Sequence, residues 1–522
     1  MSIPITRQLN LYFTPYYKNP SRTTSSPNSL RKRNSMSVSV SSSTLESGSS
    51  PRITKWVSKD FTNSILSELK LQRGIALPLI AMNLTWFVKI AITTAFLGRL
   101  GDLPLAAGTL GFTFANVTGF SVLNGLCCAM EPICGQAFGA KNFKLLHKTL
   151  LMSIFLLLLA TLPISFLWLN VDSILIHFGQ QKDISLAAKT YLLYLLPDLV
   201  ITSFLCPLKS YLSSQTETLP IMLSSALALA LHVPVNIFLA KSKGLTGVSM
   251  AIWLTDFVAM ISLAIYVWLK QSRSNDEEEG GWFDQTVQDW VRLVKLSGPC
   301  CLTTCLEWWC YEILILLTGR LPNAKQAVGT IAIVLNFDYL LYSVMLSLAT
   351  CASARVSNEL GGNRGAEARW SAGVSVVGSV VFGLMGAAAM VAGRGEWGRI
   401  FTRDEEVVRM VRKMLVLMAA IEVVNFPVAV CGGVVRGVGK PLMGLGASVG
   451  GFYGVALPLG VVLGFKVGVG LSGLLIGFLV GMFGCLVLLM VFVGRIDWGK
   501  EAQRAQLMVK DGEIAVVDDF KI

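Results

Sequence analysis

Apolar runs of membrane-crossing length dominate the sequence. They recur about twelve times, near 75–97, 105–129, 149–170, 186–206, 218–240, 246–269, 293–319, 326–350, 371–393, 411–431, 441–464 and 468–494. Runs such as 149–169, 246–269 and 471–494 approach or exceed the ~20 residues that cross a hydrocarbon core, so they read as spans and not as core helices. Composition agrees: 53% of the 522 residues are hydrophobic and 15% are charged, and the mean hydropathy is +0.60. The expected fold is an all-α integral membrane protein of about twelve helices.

The formal net charge of +12 raises the question of nucleic acid. The basic residues are scattered over tails and short loops, so they act as topology signals and no nucleic-acid partner is expected. An even number of spans puts both termini on one side, and Lys55, Lys59, Lys70 and Arg73 place that side in the cytoplasm. Loops 141–148 and 355–369 fit this orientation. The segment 394–413, rich in Arg but also in Asp and Glu, dilutes it. Most of the eleven cysteines fall within spans and read as small packing residues.

Residues 1–58 are Ser-rich and basic and read as a disordered tail, with a transit peptide as the alternative reading. An acidic connection, 272–292, divides the hydrophobic mass into two parts, 59–271 and 293–495, and leaves 496–522 as a C-terminal tail. A shift of 221 or 222 residues brings three stretches into register. Pro78 meets Pro299, Gly98-Arg99-Leu100 meets Gly319-Arg320-Leu321, CGQAFGA (134–140) meets VSNELGG (356–362), and Pro220 meets Pro441. Three matches in one order at nearly one offset imply duplication. Two six-helix halves in parallel order define a pseudo-two-fold axis along the membrane normal and favour alternating access around a midplane site.

The ionisable residues within spans are Lys89, Asp198, Asp256, Glu307, Glu312, Asp338 and Glu422. Each costs about 2.5–3.5 kcal/mol at a helix centre on insertion scales, so function is the default reading. For Asp198 and Asp256 a buried salt bridge or a snorkelling position is the stronger alternative. Glu307 and Glu312 lie roughly 140° apart on a helix and are expected to do different jobs. A carboxylate in a low-dielectric site can exchange a proton near physiological pH, as proton coupling requires. Glu422 and Asn425 share one helical face, with Pro427 beyond them. Enzyme signatures are missing or broken: GGVVRGVGKP (432–441) fails as a phosphate loop, and His147, His177 and His232 form no metal spacing, so neither cofactor nor metal is expected.

Four stretches, MEPICGQAFGAKN (130–142), CLEWWCYEILILLTG (305–319), RVSNELGGN (355–363) and GGVVRGVGKP (432–441), in this order and spacing, resemble the multidrug and toxic compound extrusion (MATE) family and its plant DETOXIFICATION branch. The resemblance covers about residues 60–500. It implies two six-helix lobes and proton-driven efflux of organic solutes from a cavity between them, with the bilayer, a small organic solute and protons as partners and a monomer as the working unit. Glu307 matches the acid used for proton coupling, and Asn336 matches a residue lining the second lobe's cavity; Trp308, Tyr311, Glu312, Asp338 and, from the first span, Lys89 are expected with it among the substrate-cavity residues. The family's tenth-helix Asp falls on Asn425 here. Either Glu422 supplies the missing acid, or Glu307 titrates with Asn425 as a neutral partner. Asp338 stands where relatives carry no charge and signals a cationic substrate or compensation for Lys89. A structural role is expected of Glu131, Pro132, Gly135, Gln136, Gly139, Arg355, Asn358, Glu359, Gly361, Arg436 and Gly437, the loop glycines by permitting tight helix-to-loop turns. Lipid or polyprenyl flipping, and a membrane-anchored scaffold or sensor, are the alternative functions. The expected address is the plasma membrane or a vacuolar or other endomembrane, ahead of the plastid envelope.

In the first copy of the repeat, Trp86 stands opposite Glu307 and Ala91 opposite Glu312. Only the second half carries these two acids.

Overall fold

Apolar runs of this length fold as helices because lipid offers no partner for an unpaired backbone N–H or C=O. The structure, a computed structural model, describes residues 51–273 and 285–510, and twelve helices among the described residues are long and apolar enough to cross a membrane. The first six are α1 (Pro51–Leu100), α2 (Asp102–Gly139), α3 (Phe143–Leu169), α4 (Lys182–Ser214), α5 (Leu219–Lys243) and α6 (Leu245–Arg273). The last six are α7 (Val287–Thr318), α8 (Ala324–Gly361), α9 (Gly365–Gly393), α10 (Glu405–Val438), α11 (Pro441–Lys466) and α12 (Leu471–Gly494). An amphipathic helix, α13 (Trp498–Lys510), follows. The chain from Lys59 onward forms one compact unit, and of the unit before it only the first turns of α1 are described.

Helix ends follow local chemistry. The Asn142 side chain caps α3 by accepting from Leu145 N, and Asp404 caps α10 by accepting from Glu406 N and Val407 N. Thr286 and Asp289 form a capping box at the start of α7. Gly439, in the left-handed region at φ 84°, closes α10, and Pro441 opens α11 two residues later.

Several boundaries differ from expectation. α1 starts at Pro51, inside the stretch read as a tail, and α7 starts at Val287, inside the stretch read as a connection. The C-terminal stretch read as a tail contains α13, whose last carbonyls are capped by side chains from elsewhere. Asn142 Nδ2 donates to Val509 O at 2.9 Å and Arg292 Nη1 donates to Met508 O at 3.2 Å. Residues 1–50, 274–284 and 511–522, which carry the other tail and connection expectations, lie outside the described residues.

CGQAFGA and VSNELGG are helical, ending α2 and α8, and are not loops. The turn conformation falls on Lys141 (φ 61°) and Asn363 (φ 58°), 222 residues apart, and not on the motif glycines. Those glycines serve a close crossing of α2 over α8. A methyl group on Gly139 would overlap the carbonyl oxygen of Asn358, and one on Gly361 would overlap that of Gln136. Shifting Gly139 and Gln136 by 222 residues gives Gly361 and Asn358, so the two contacts are images of each other. A methyl on Gly135 would strike its own image, Ser357, which places the pseudo-two-fold axis between them.

Candidate functional site

The last six helices hold a buried acidic centre. α10 runs along α8, and their facing sides bring Asp338 (3% exposed) toward Glu422 (0%) and Asn425 (1%). The Glu422 carboxyl faces Asp338 and Asn425, yet neither of its oxygens has a well-formed hydrogen bond, and Oδ1 of Asp338 and Oδ1 of Asn425 also lack one. No Lys or Arg pairs with either carboxyl among the described residues. Pro427 supplies no N–H to the Val423 carbonyl one turn back, which loosens α10 directly beside this centre.

α7 closes the centre from the third side. The Tyr311 side chain lies amid Asp338, Glu422 and Glu307, and its hydroxyl accepts from Asn425 Nδ2 at 3.5 Å. Its ring packs edge-on against Phe478 of α12 at 4.9 Å. Trp308 packs edge-on against Tyr342 at 5.4 Å, and Glu307, half-buried beside Trp308 in the chain, lies in the field of Arg436 and Asp338. Glu312 lies near Tyr339, which Asp338 also approaches. The Asn336 amide donates to the Ala332 carbonyl of its own helix at 2.9 Å.

Lys89 belongs to a different centre in the first six helices. Its Nζ pairs with Asp256 Oδ2 at 2.7 Å and donates to Ile252 O at 3.0 Å. Compensation of Lys89 by Asp338 is therefore excluded: the partner comes from α6. Asp198, 3% exposed, lies near this pair but among the described residues forms no ion pair of its own, and its Oδ1 has no hydrogen bond there. His232 is central here and not an isolated packing residue. Its ring nitrogens meet Thr93 Oγ1 at 3.0 Å, Asn236 Nδ2 at 2.9 Å and Thr255 Oγ1 at 3.2 Å. The i, i+4 pairs Lys89/Thr93 and His232/Asn236 were the available sequence signal.

The remaining motif residues tie the two halves together where α2, α8 and α10 end. Arg436 Nε donates to Glu131 Oε2 at 3.1 Å, and Gln136 Nε2 reaches the carbonyls of Gly437 (3.4 Å) and Val438 (3.5 Å). Gly437 leaves room for the Ser353 carbonyl, and Pro132 is buried alongside. Arg355 is held between Glu359 (2.9 Å) and Glu68 (3.0 Å), the latter also bonded by Ser371 and Gln72. Glu68 escaped the sequence reading because it precedes the first apolar run.

Twelve spanning helices, a two-fold crossing at one end and a buried polar centre in each half define a two-lobed membrane transporter. The comparisons with known proteins agree. The MatE family matches residues 78–238 and 299–462. Protein DETOXIFICATION 56 of Arabidopsis thaliana is 58% identical over 87% of this chain and 93% of its own length, and Protein DETOXIFICATION 51 of the same plant is 40% identical over 85% and 83%. The crystal structure of the eukaryotic MATE transporter AtDTX14 superposes with a TM-score of 0.80 at 30% identity, covering 85% of this chain and 99% of that one. The chain belongs to the MatE family, as a multi-pass transporter of the multidrug-efflux kind and not an enzyme.

Proposed function

We propose that this chain is a proton-coupled antiporter that exports an organic solute by alternating access, working as a monomer in the plasma membrane or an endomembrane. The observation that carries this reading is the Asp338–Glu422 pair: two buried carboxyls facing each other with no Lys or Arg paired to either among the described residues. Two negative charges side by side in a low-dielectric interior are costly, at several kcal/mol per desolvated ion, and a proton shared between them removes their repulsion and one of the two charges. Glu307, half-buried on α7 and within the field of Asp338, is the port through which the proton reaches the pair. Glu422 thus supplies the acid that Asn425 lacks, and Asn425 and Tyr311 hold the centre by hydrogen bonding.

A pair that binds a proton in one orientation of the lobes and releases it in the other couples proton entry to solute exit, because the two states differ in affinity for both. Asp338 then has a second task, to attract a cationic solute when the proton has left. The test uses purified full-length protein in liposomes with an imposed pH gradient and ethidium as the transported probe. Glu307→Gln and Glu422→Gln should each lower gradient-driven uptake at least tenfold. Wild-type uptake by both variants would overturn the assignment.

A further inference from the structure

The segment that blurs the charge asymmetry of the loops, 394–413, carries Arg394, Arg399, Arg403, Arg409, Arg412 and Lys413 against Glu396, Asp404, Glu405 and Glu406. Most of its acids are engaged elsewhere. Glu396 pairs with Arg399 at 3.1 Å, Asp404 caps α10, and Glu406 accepts from Gln326 Nε2 at 2.8 Å. Arg394, Arg409, Arg412 and Lys413 have neither a carboxylate nor a hydrogen-bond partner among the described residues, and all four line one cavity of about 610 Å³.

The cavity has a polarity gradient. On α10, positions 409, 412, 413, 416 and 417 follow the i, i+3, i+4, i+7, i+8 spacing of one helical face, basic for the first turn and then apolar with Val416 and Leu417. Val469, just before α12, and Ser472 and Ile476, in its first turns, form the opposite, largely apolar wall. Val416, within the tenth span, and Val469, in the turn before α12, are 40% and 44% exposed. Like charges at i, i+3 and i, i+4 repel when nothing neutralises them. Guanidinium groups converging at a membrane edge suit a phosphate, which they grip through paired N–H donors.

We propose that this cavity binds an anionic phospholipid, its phosphate held by Arg394, Arg409, Arg412 and Lys413 and one acyl chain lying along Val416, Leu417, Val469 and Ile476. A soluble phosphate would satisfy the cations but leave the apolar walls uncovered. The end of the ninth span lies on the opposite side of the membrane from the N-terminus, so the lipid is drawn from that leaflet. The site tethers the α9–α10 connection to the headgroup layer. A phosphate held there balances a basic cluster on the side where the loop-charge rule does not expect one.

The test is thermal unfolding of the purified full-length protein in neutral detergent, with phosphatidylglycerol, phosphatidylcholine of the same chains, or inorganic phosphate added. Phosphatidylglycerol should raise the midpoint by several degrees more than phosphatidylcholine, and inorganic phosphate should not reproduce the increment. In R409Q/R412Q/K413Q the difference between the two lipids should vanish, while K241Q/K243Q should keep it. Equal stabilisation by both lipids, an undiminished difference in the triple variant, or a full increment from inorganic phosphate overturns the proposal. If the triple variant does not fold, native mass spectrometry of Arg412→Gln replaces it. The ratio of retained phosphatidylglycerol to phosphatidylcholine should fall at least threefold, and an unchanged ratio is the overturning result.

Discussion

Gly139 and Gly361 occupy equivalent places in the two halves of the molecule, and each is packed against the backbone of the other half. The Asn358 carbonyl fills the space of a side chain at Gly139, and the Gln136 carbonyl fills that at Gly361. A methyl group at either position meets main chain, which cannot rotate away. Gly139→Ala or Gly361→Ala should therefore cost about 1–3 kcal/mol or more through overpacking. Gly373, mid-helix in α9 with open space around its Cα, is the control. Gly373→Ala should be neutral or should stabilise by up to about 1 kcal/mol through helix propensity. Midpoints of thermal unfolding in detergent decide; equal effects at the three positions would contradict the crossing.

The Glu131–Arg436 pair joins α2 to α10 beside the same crossing, with side chains 13% and 19% exposed. Removing one member of a mostly buried pair leaves the other uncompensated, so Arg436→Gln alone should destabilise by about 3–5 kcal/mol. Glu131→Gln in the same chain should restore a large part of the loss, because no lone charge then remains. A double-mutant cycle on unfolding midpoints would expose the coupling, and strictly additive losses would show that the two side chains act independently.

Lys89 offers a direct choice between partners. Its ammonium lies 2.7 Å from Asp256 in α6, while Asp338 faces Glu422 in the other half. Lys89→Met should lower stability by about 3–5 kcal/mol, and Asp256→Asn should rescue much of that loss whereas Asp338→Asn should not. Rescue by Asp338→Asn would mean that the two halves exchange partners in the membrane.

Much of this architecture was legible in the sequence, for reasons that also explain what was not. Span positions follow from hydropathy because each run must cross the same apolar slab. The repeat shows through Pro78 with Pro299 and Gly139 with Gly361, since a pseudo-two-fold contact constrains both copies. Span ends were less legible: CGQAFGA and VSNELGG look like turns by composition, yet Lys141 and Asn363 make the turns and the glycines make the crossing. Pairing was not legible at all. Which helix Lys89 faces is a property of packing, so Asp256 and His232 emerge as its neighbours only in three dimensions. Glu68 was hidden because α1 begins well before its apolar stretch does. The charges of 394–413, six basic against four acidic by count, are further out of balance in space, because most of the acids are engaged away from Arg394, Arg409, Arg412 and Lys413.

The acidic centre yields the prediction that separates coupling from mere polarity. Glu312 sits on α7 like Glu307 but roughly 140° around it, near Tyr339, and unlike Glu307 it is not in the field of Asp338 or Glu422. If protons pass through the pair, Glu312→Gln should leave gradient-driven ethidium uptake in liposomes within about twofold of wild type. Glu422→Gln should abolish its dependence on the pH gradient while preserving ethidium binding. Asp338→Asn should do both, lowering gradient dependence and weakening the binding of the cation by roughly tenfold, about 1.4 kcal/mol. Binding is read by ethidium fluorescence titration and coupling by uptake at several imposed gradients. A Glu312→Gln variant as impaired as Glu422→Gln would move the proton path onto the other face of α7 and leave the buried pair a structural role.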